Sequence, residues 1–239
     1  MEERLGAGSA VVTADELHAL IPFGWRAAIE QTLRAADLER LATRLTNDPR
    51  EIVPTKRADW FRALDATPLT DVRAVILGQD PYQDPELADG LAFSVRAGTS
   101  HVPPSLRRIL DEAQAVAVIA IGRTSLLPWA QRGVLLLNTA LTVPQGQSGG
   151  HTSCWRPVTD AILRAVGSQA GPVAFMAWGA HARAAIDRAE IVDGQPHIVS
   201  ASVHPMERLG SFIASNPFGC VQDRLSAAGV HDEIDWSLR

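Results

Sequence analysis

Four brief and nearly continuous apolar runs constrain the fold of this chain most: Val72 to Leu77, Val134 to Leu137, Val173 to Met176 and Ile198 to Val203. A strand with one wet face alternates apolar and polar residues, whereas a run without alternation is covered on both faces, as in a parallel sheet sandwiched by helices. Helical stretches are expected between the runs, at about Pro104 to Val118, Val158 to Val166 and Ala182 to Ala189. The pattern predicts an α/β fold with a central four-stranded, mostly parallel sheet flanked by helices.

Before the first run the chain reads as helical. Thr13-Ala-Asp-Glu16 has the form of a capping box, and Leu17, Leu20 and Ile21 extend it into a helix that stops near Pro22. A second helix is expected over Trp25 to Leu45, then loop at Asn47-Asp-Pro49 and Val53-Pro-Thr55. Trp60, Phe61 and Leu64 follow as one face of a short helix. At the other end, Asn216-Pro217 reads as a cap and first-turn proline, with Phe218, Val221 and Leu225 on the inner face. With no internal repeat or linker, residues 1–239 are expected to form one domain, in which a helical part over 1–70 packs on the sheet.

Composition is consistent with that expectation and narrows the partners. A chain of 239 residues, 46% of them hydrophobic, can bury a full core. A net charge of −5 excludes a protein coated in basic surface. It does not exclude a local nucleic-acid groove, and with Lys56 as the only lysine the cationic charge is almost all arginine, which suits bidentate phosphate contacts. Cys154 and Cys220 stand far apart without a Cys-x-x-Cys pair, so neither a disulfide framework nor a zinc site is signalled and a reducing cytoplasm is the expected setting. The amino terminus lacks a secretory pattern and the longest apolar run, Ala115 to Ile121, is too short to span a bilayer, so a soluble protein without a membrane partner is expected.

Each apolar run ends in chemistry. Asp80 follows the first, Asn138 the second, Trp178-Gly-Ala-His181 the third and His204 the fourth. Ligands of open α/β sheets sit outside the carboxyl ends of the strands, so these groups should converge although they are remote in sequence. Taken singly, each has an ordinary reading. Asp80 before Pro81 could shape a turn, Asn138 could cap a strand end, and His204 could be a loop histidine bonded to backbone. Phe93 could be core, and Ser94 and Ser105 could be turn or cap residues. A small-molecule nucleotide hydrolase is disfavoured because no Gly-rich phosphate loop follows any strand.

As an ordered set, Gly78-Gln-Asp-Pro-Tyr-Gln83, Gly90-Leu-Ala-Phe-Ser-Val95, Pro103-Pro-Ser-Leu106, Gly133-Val-Leu-Leu-Leu-Asn138, Trp178-Gly-Ala-His181 and Val203-His-Pro205 resemble the motifs of family 1 uracil-DNA glycosylases. The resemblance runs from about Trp25 to Ile234-Asp-Trp236. It implies a monomeric enzyme that acts on uracil-containing DNA, single- or double-stranded. The enzyme flips the nucleotide out and cleaves the N-glycosidic bond of deoxyuridine, leaving an abasic site, with no metal and no cofactor. An alternative is a uracil- or DNA-binding protein of the same fold with weak or no glycosylase activity.

The same resemblance assigns roles. Asp80 would stabilise the sugar cation and position water, and His204 would donate as a neutral group to uracil O2. Asn138 would read the O4 and N3–H edge, with the Gln79 backbone completing the oxygen contacts. Phe93 would stack on the base, and Tyr82 would exclude the methyl group of thymine. Ser94 and Ser105 would contact phosphates. Three departures stand out: Gln83 replaces a histidine, Ala180 a serine, and His204-Pro-Met-Glu-Arg-Leu-Gly210 the usual His-Pro-Ser-Pro-Leu-Ser. In that segment Leu209 is the expected duplex wedge, with Phe212 and Ile213 as rivals, and Arg208 a phosphate contact, whereas Glu207 would oppose DNA electrostatically.

Overall fold

The computed structural model describes residues 11–207, 211–213 and 215–239. Thr13 Oγ1 accepts the Glu16 N–H at 3.1 Å and opens α1 (Ala14–Leu20). The predicted helix over Trp25 to Leu45 is two helices, α2 (Phe23–Ile29) and α3 (Ala35–Thr46). Asp37 makes the break: its buried carboxylate accepts the Arg34 N–H at 3.2 Å and the Arg34 guanidinium, capping a new helix start where the apolar period alone reads as continuous. After the short strand β1 (Ile52–Val53) comes the expected short helix, α4 (Arg62–Ala66), which holds Leu64 and starts just after Phe61, so that Trp60 precedes it; all three side chains are buried. Trp25 ties the helical part together by donating its indole N–H to the carbonyls of Leu64 and Thr67 at 3.1 and 3.2 Å.

All four apolar runs form strands: β2 (Ala74–Gly78), β3 (Val134–Asn138), then, beyond the short β4 (Val143–Pro144), β5 (Ala174–Trp178) and β6 (Ile198–Ser202). They make one four-stranded sheet in the order β3-β2-β5-β6, with every pair parallel. An antiparallel pair, β1 with β4, lies apart from that sheet. Every residue of β2, β3 and β5 is buried, which is why their sequences do not alternate, and the edge strand β6 is only partly covered.

The covering helices are α5 (Pro104–Ala113), α6 (Leu127–Ala130), α7 (Thr152–Gly167), α8 (Gly179–Arg188) and α9 (Pro217–Ala227). Helix α5 stops short of Val118 because the next segment pairs with the carboxyl-terminal chain: Leu238 N–H donates to Val118 and Ala120 N–H to Leu238 at 2.9 and 2.7 Å. Helix α7 begins earlier than expected and contains Pro157. Asn216 caps α9 as predicted, accepting the Gly219 N–H at 3.2 Å. One continuous cluster of buried side chains runs from Val12 to Leu238, including Trp25, Trp60, Trp129, Trp155 and Trp178. No helix among the described residues is long and apolar enough to cross a membrane.

The chain leaves β2 for β3 on one side and then crosses to β5 on the other. This reversal places a crevice at the carboxyl end of β2, the position at which open α/β sheets bind ligands.

Candidate active site

Gly78 ends β2 opposite Asn138, which ends β3. A Cβ at Gly78 would lie 2.2 Å from Asn138 Oδ1, so glycine is what allows the asparagine amide to fold across the strand end. The turn that follows is pinned through Gln79, whose carbonyl accepts the Ala140 N–H at 2.9 Å and the Thr139 hydroxyl at 3.0 Å. With its proton given to Gln79, Thr139 accepts from His181 Nε2, and burial holds His181 below the ordinary imidazole pKa. Asp80 comes next. Its Oδ2 accepts the Gly149 N–H at 2.5 Å and the Ser148 hydroxyl at 3.0 Å.

Around this turn is a cavity of about 270 Å³. Gln79, Asp80, Tyr82, Phe93, Asn138 and His204 all line it, although they come from four separate parts of the chain. The Tyr82 hydroxyl donates to the Phe93 carbonyl at 3.1 Å and accepts from Ser105 Oγ at 3.1 Å, and burial pushes the phenol up to about 12. That contact helps to hold Phe93 at φ 63°, in the left-handed region where a bulky side chain is strained. Trp178 backs Phe93 at a ring-centroid distance of 5.8 Å. Asn138 is buried, with its amide oxygen set against Gly78.

His204 follows β6, its ring centroid 6.2 Å from that of Phe93. Gly179, at φ +86°, clears space for it, since a Cβ there would meet His204 Cβ at 3.0 Å. The Met206 N–H donates to His204 Nδ1 at 3.1 Å. His204 is exposed by surface area, yet the protein around it desolvates the ring enough to lower its pKa, and the Glu207 charge offsets this only in part. Arg108 of α5 braces the same segment by donating to the carbonyls of Pro205 and Glu207 at 2.7 and 3.0 Å.

The expected DNA contacts fare differently. Ser105 stands in the cavity wall. Ser94 borders the cavity but is fully buried, with its hydroxyl donating to Asp89 Oδ2 at 2.8 Å and accepting the Leu126 N–H at 2.9 Å. In this structure that hydroxyl ties two loops together and is not presented to a phosphate. Arg208 and Leu209 lie outside the described residues. Phe212 is fully buried, edge-on to Trp178 at 5.2 Å, which places it in the core and removes it as a wedge. Ile213 and Met206 are exposed. Of the departures, Gln83 lines the cavity and Ala180 lies exposed in the first turn of α8.

The sequence alone does not mark Ser148, Gly149, Asp89, Arg108 or the His181–Thr139 contact as parts of the site. The glycine-rich Gln145-Gly-Gln-Ser-Gly-Gly150 was the one local signal that backbone approaches another element closely there. The others act through partners far away in sequence and leave no local pattern.

Comparison with known proteins agrees with the geometry. Residues 64–218 match the model of the Uracil DNA glycosylase superfamily. The chain is 41% identical over 221 residues to a uracil-DNA glycosylase of Rhizobium meliloti (strain 1021), covering 90% of this chain and 89% of that one. It is 38% identical over 230 residues to a uracil-DNA glycosylase of Deinococcus deserti, covering 92% and 91%. The crystal structure of mimivirus uracil-DNA glycosylase shares the fold, with a TM-score of 0.80 at 24% identity over 95% of this chain and 90% of that one. On the match of its central 155 residues, 64 to 218, and its identity to these relatives, the chain belongs to the uracil DNA glycosylase superfamily.

Proposed function

We propose that the chain is a uracil-DNA glycosylase that hydrolyses the N-glycosidic bond of deoxyuridine in DNA and leaves an abasic site. The observation that carries this reading is the convergence of Asp80, Asn138 and His204, from the ends of β2 and β3 and the segment after β6, on one cavity floored by Phe93. At about 270 Å³ it falls just below the usual range of small-molecule pockets, roughly 300–1,000 Å³, and suits a single flipped base.

The chemistry assigns a part to each group. Rotating the nucleotide out of the stack costs a few kcal/mol, which stacking on Phe93 and hydrogen bonds in the pocket offset. Asn138 carries both a donor and an acceptor, matching uracil O4 and N3–H and mismatching the amino group of cytosine. Tyr82, fixed between Ser105 and Phe93, occupies the space a thymine methyl would need. As the C1′–N1 bond breaks, its electron pair leaves with uracil and positive charge develops on the sugar. Asp80 stabilises that cation and orients the water whose oxygen bonds to C1′; the water proton passes to the carboxylate and on to solvent. His204, neutral and protonated on Nε2, donates to uracil O2 as negative charge builds there, a contribution of about 3 kcal/mol for a preorganised donor.

The continuous core supports one domain, and we read the enzyme as a cytoplasmic monomer. The departures from the family pattern after His204 fall in the sequence segment that would pry a duplex, so we read single-stranded DNA as the preferred substrate. The test is release of uracil from an oligonucleotide with a single deoxyuridine, read as alkali-labile ends on a gel, in single-stranded and matched double-stranded form and beside free deoxyuridine. Release from both DNAs with the single strand faster supports the reading. Equal rates would remove the strand preference, and binding without release, or equal release from the free nucleoside, would overturn the assignment.

A further inference from the structure

Asp80 is held by a residue that the roles above leave unused. Both hydrogen bonds to its carboxylate fall on one oxygen, Oδ2: the Gly149 N–H at 2.5 Å and the Ser148 hydroxyl at 3.0 Å. Among the described residues Oδ1 has no hydrogen-bond partner. The Ser148 hydroxyl is itself oriented, because Gln79 Nε2 donates to its oxygen at 3.3 Å and directs its single proton toward Asp80. Gln79, Ser148 and Asp80 therefore form a closed ring across the mouth of the cavity.

The loop that delivers Ser148 is anchored on the side away from the cavity. His151 is fully buried, paired with Thr142 through Nδ1 at 2.9 Å and with Asp48 through Nε2 at 3.2 Å. Gly150 packs so closely on Pro144 that a Cβ would lie 2.7 Å from its ring, and Gly149 turns at φ +76° to aim its N–H at Asp80. Ser148 is exposed, so its hydrogen bonds add little to the stability of the fold. Its effect falls on the orientation of the carboxylate.

We propose that Ser148 is a positioning residue for Asp80, fixing Oδ2 from the loop side so that Oδ1 is presented to the sugar and the attacking water. The inference rests on the glycosylase reading of the site. A carboxylate free to rotate spends part of its time misaligned, and small misplacements of a reacting group cost rate without weakening substrate binding.

The test is steady-state and single-turnover kinetics of uracil release from a single-stranded oligonucleotide by wild type, Ser148→Ala and Ser148→Thr, with thermal melting of each. The expected result is a fall in kcat of about tenfold for Ser148→Ala, with KM and melting temperature unchanged, and recovery of most of the rate by Ser148→Thr, which restores the hydroxyl. An unchanged kcat, a loss confined to KM, which would make Ser148 a DNA contact, or a threonine variant as slow as the alanine variant would overturn it. A wild type that binds DNA and releases no uracil would instead remove the glycosylase reading and this inference with it.

Discussion

The Met206 N–H donates to Nδ1 of His204 at 3.1 Å, which leaves Nε2 as the protonated nitrogen of the neutral ring. Desolvation lowers the pKa of the ring from its ordinary 6.5, so at neutral pH it donates a hydrogen bond without carrying charge. Nitrogen-15 NMR of the imidazole should show the Nε2–H tautomer and a titration midpoint below 6.5. An Nδ1–H tautomer, or a midpoint above that value, would contradict the assignment.

Histidines desolvated by the fold also set an acid limit to stability. His151, His181 and His204 all have pKa values lowered from 6.5, chiefly by burial. Between the lowered values and 6.5 the unfolded chain binds more protons than the folded one, so their contribution is fully present above 6.5 and is lost as pH falls through the folded values. Asp65, Asp89 and Glu112, raised by burial, act in the opposite sense over the carboxylate range. Replacing one histidine isolates its share. Melting temperature followed from about pH 7.5 to about pH 5.5 should fall less steeply in His151→Gln than in wild type, and equal slopes would show that His151 is not buried neutral.

Tyr82 is held in place by Ser105 and by the Phe93 carbonyl. Removing the ring opens the space beside the base, so Tyr82→Ala should release thymine from a single-stranded oligonucleotide that wild type leaves intact. Free thymine quantified after overnight incubation decides it, and a variant that still spares thymine would show that another group excludes the methyl.

At Gly78 the prediction is steric. A methyl group there would meet Asn138 Oδ1 at 2.2 Å, and the buried β2 and β3 backbones leave the asparagine as the part that must move. Gly78→Ala should keep the fold but reduce kcat/KM for uracil release at least about 100-fold, equivalent to roughly 2.7 kcal/mol. A variant with wild-type kinetics would show that Asn138 does not need its observed position.

The sheet was legible because burial on both faces leaves apolar runs without alternation, and the site because its groups sit where those runs stop. Asp80, Asn138 and His204 could be placed together on topology alone. What stayed hidden depends on partners distant in sequence. Ser148 lies in a polar loop like many others until it meets Asp80. Ser94 has the same hydroxyl whether it faces a phosphate or Asp89, and only the fold buries it. Phe212 illustrates the same limit from the apolar side. An aromatic residue in an irregular segment reads equally well as a wedge or as core, and its packing on Trp178 decides the matter. The α2–α3 break was lost because the apolar period continues across a cap made by Asp37.

The most direct measurement of the central claim is single-turnover release of uracil from a single-stranded oligonucleotide by wild type and Asp80→Asn. The substitution keeps the size of the side chain but removes the charge that would stabilise the sugar cation. Wild type should release uracil and leave alkali-labile ends, Asp80→Asn should be slower by at least about 1,000-fold, and DNA affinity should change by less than about threefold. Release by Asp80→Asn at the wild-type rate would contradict that claim.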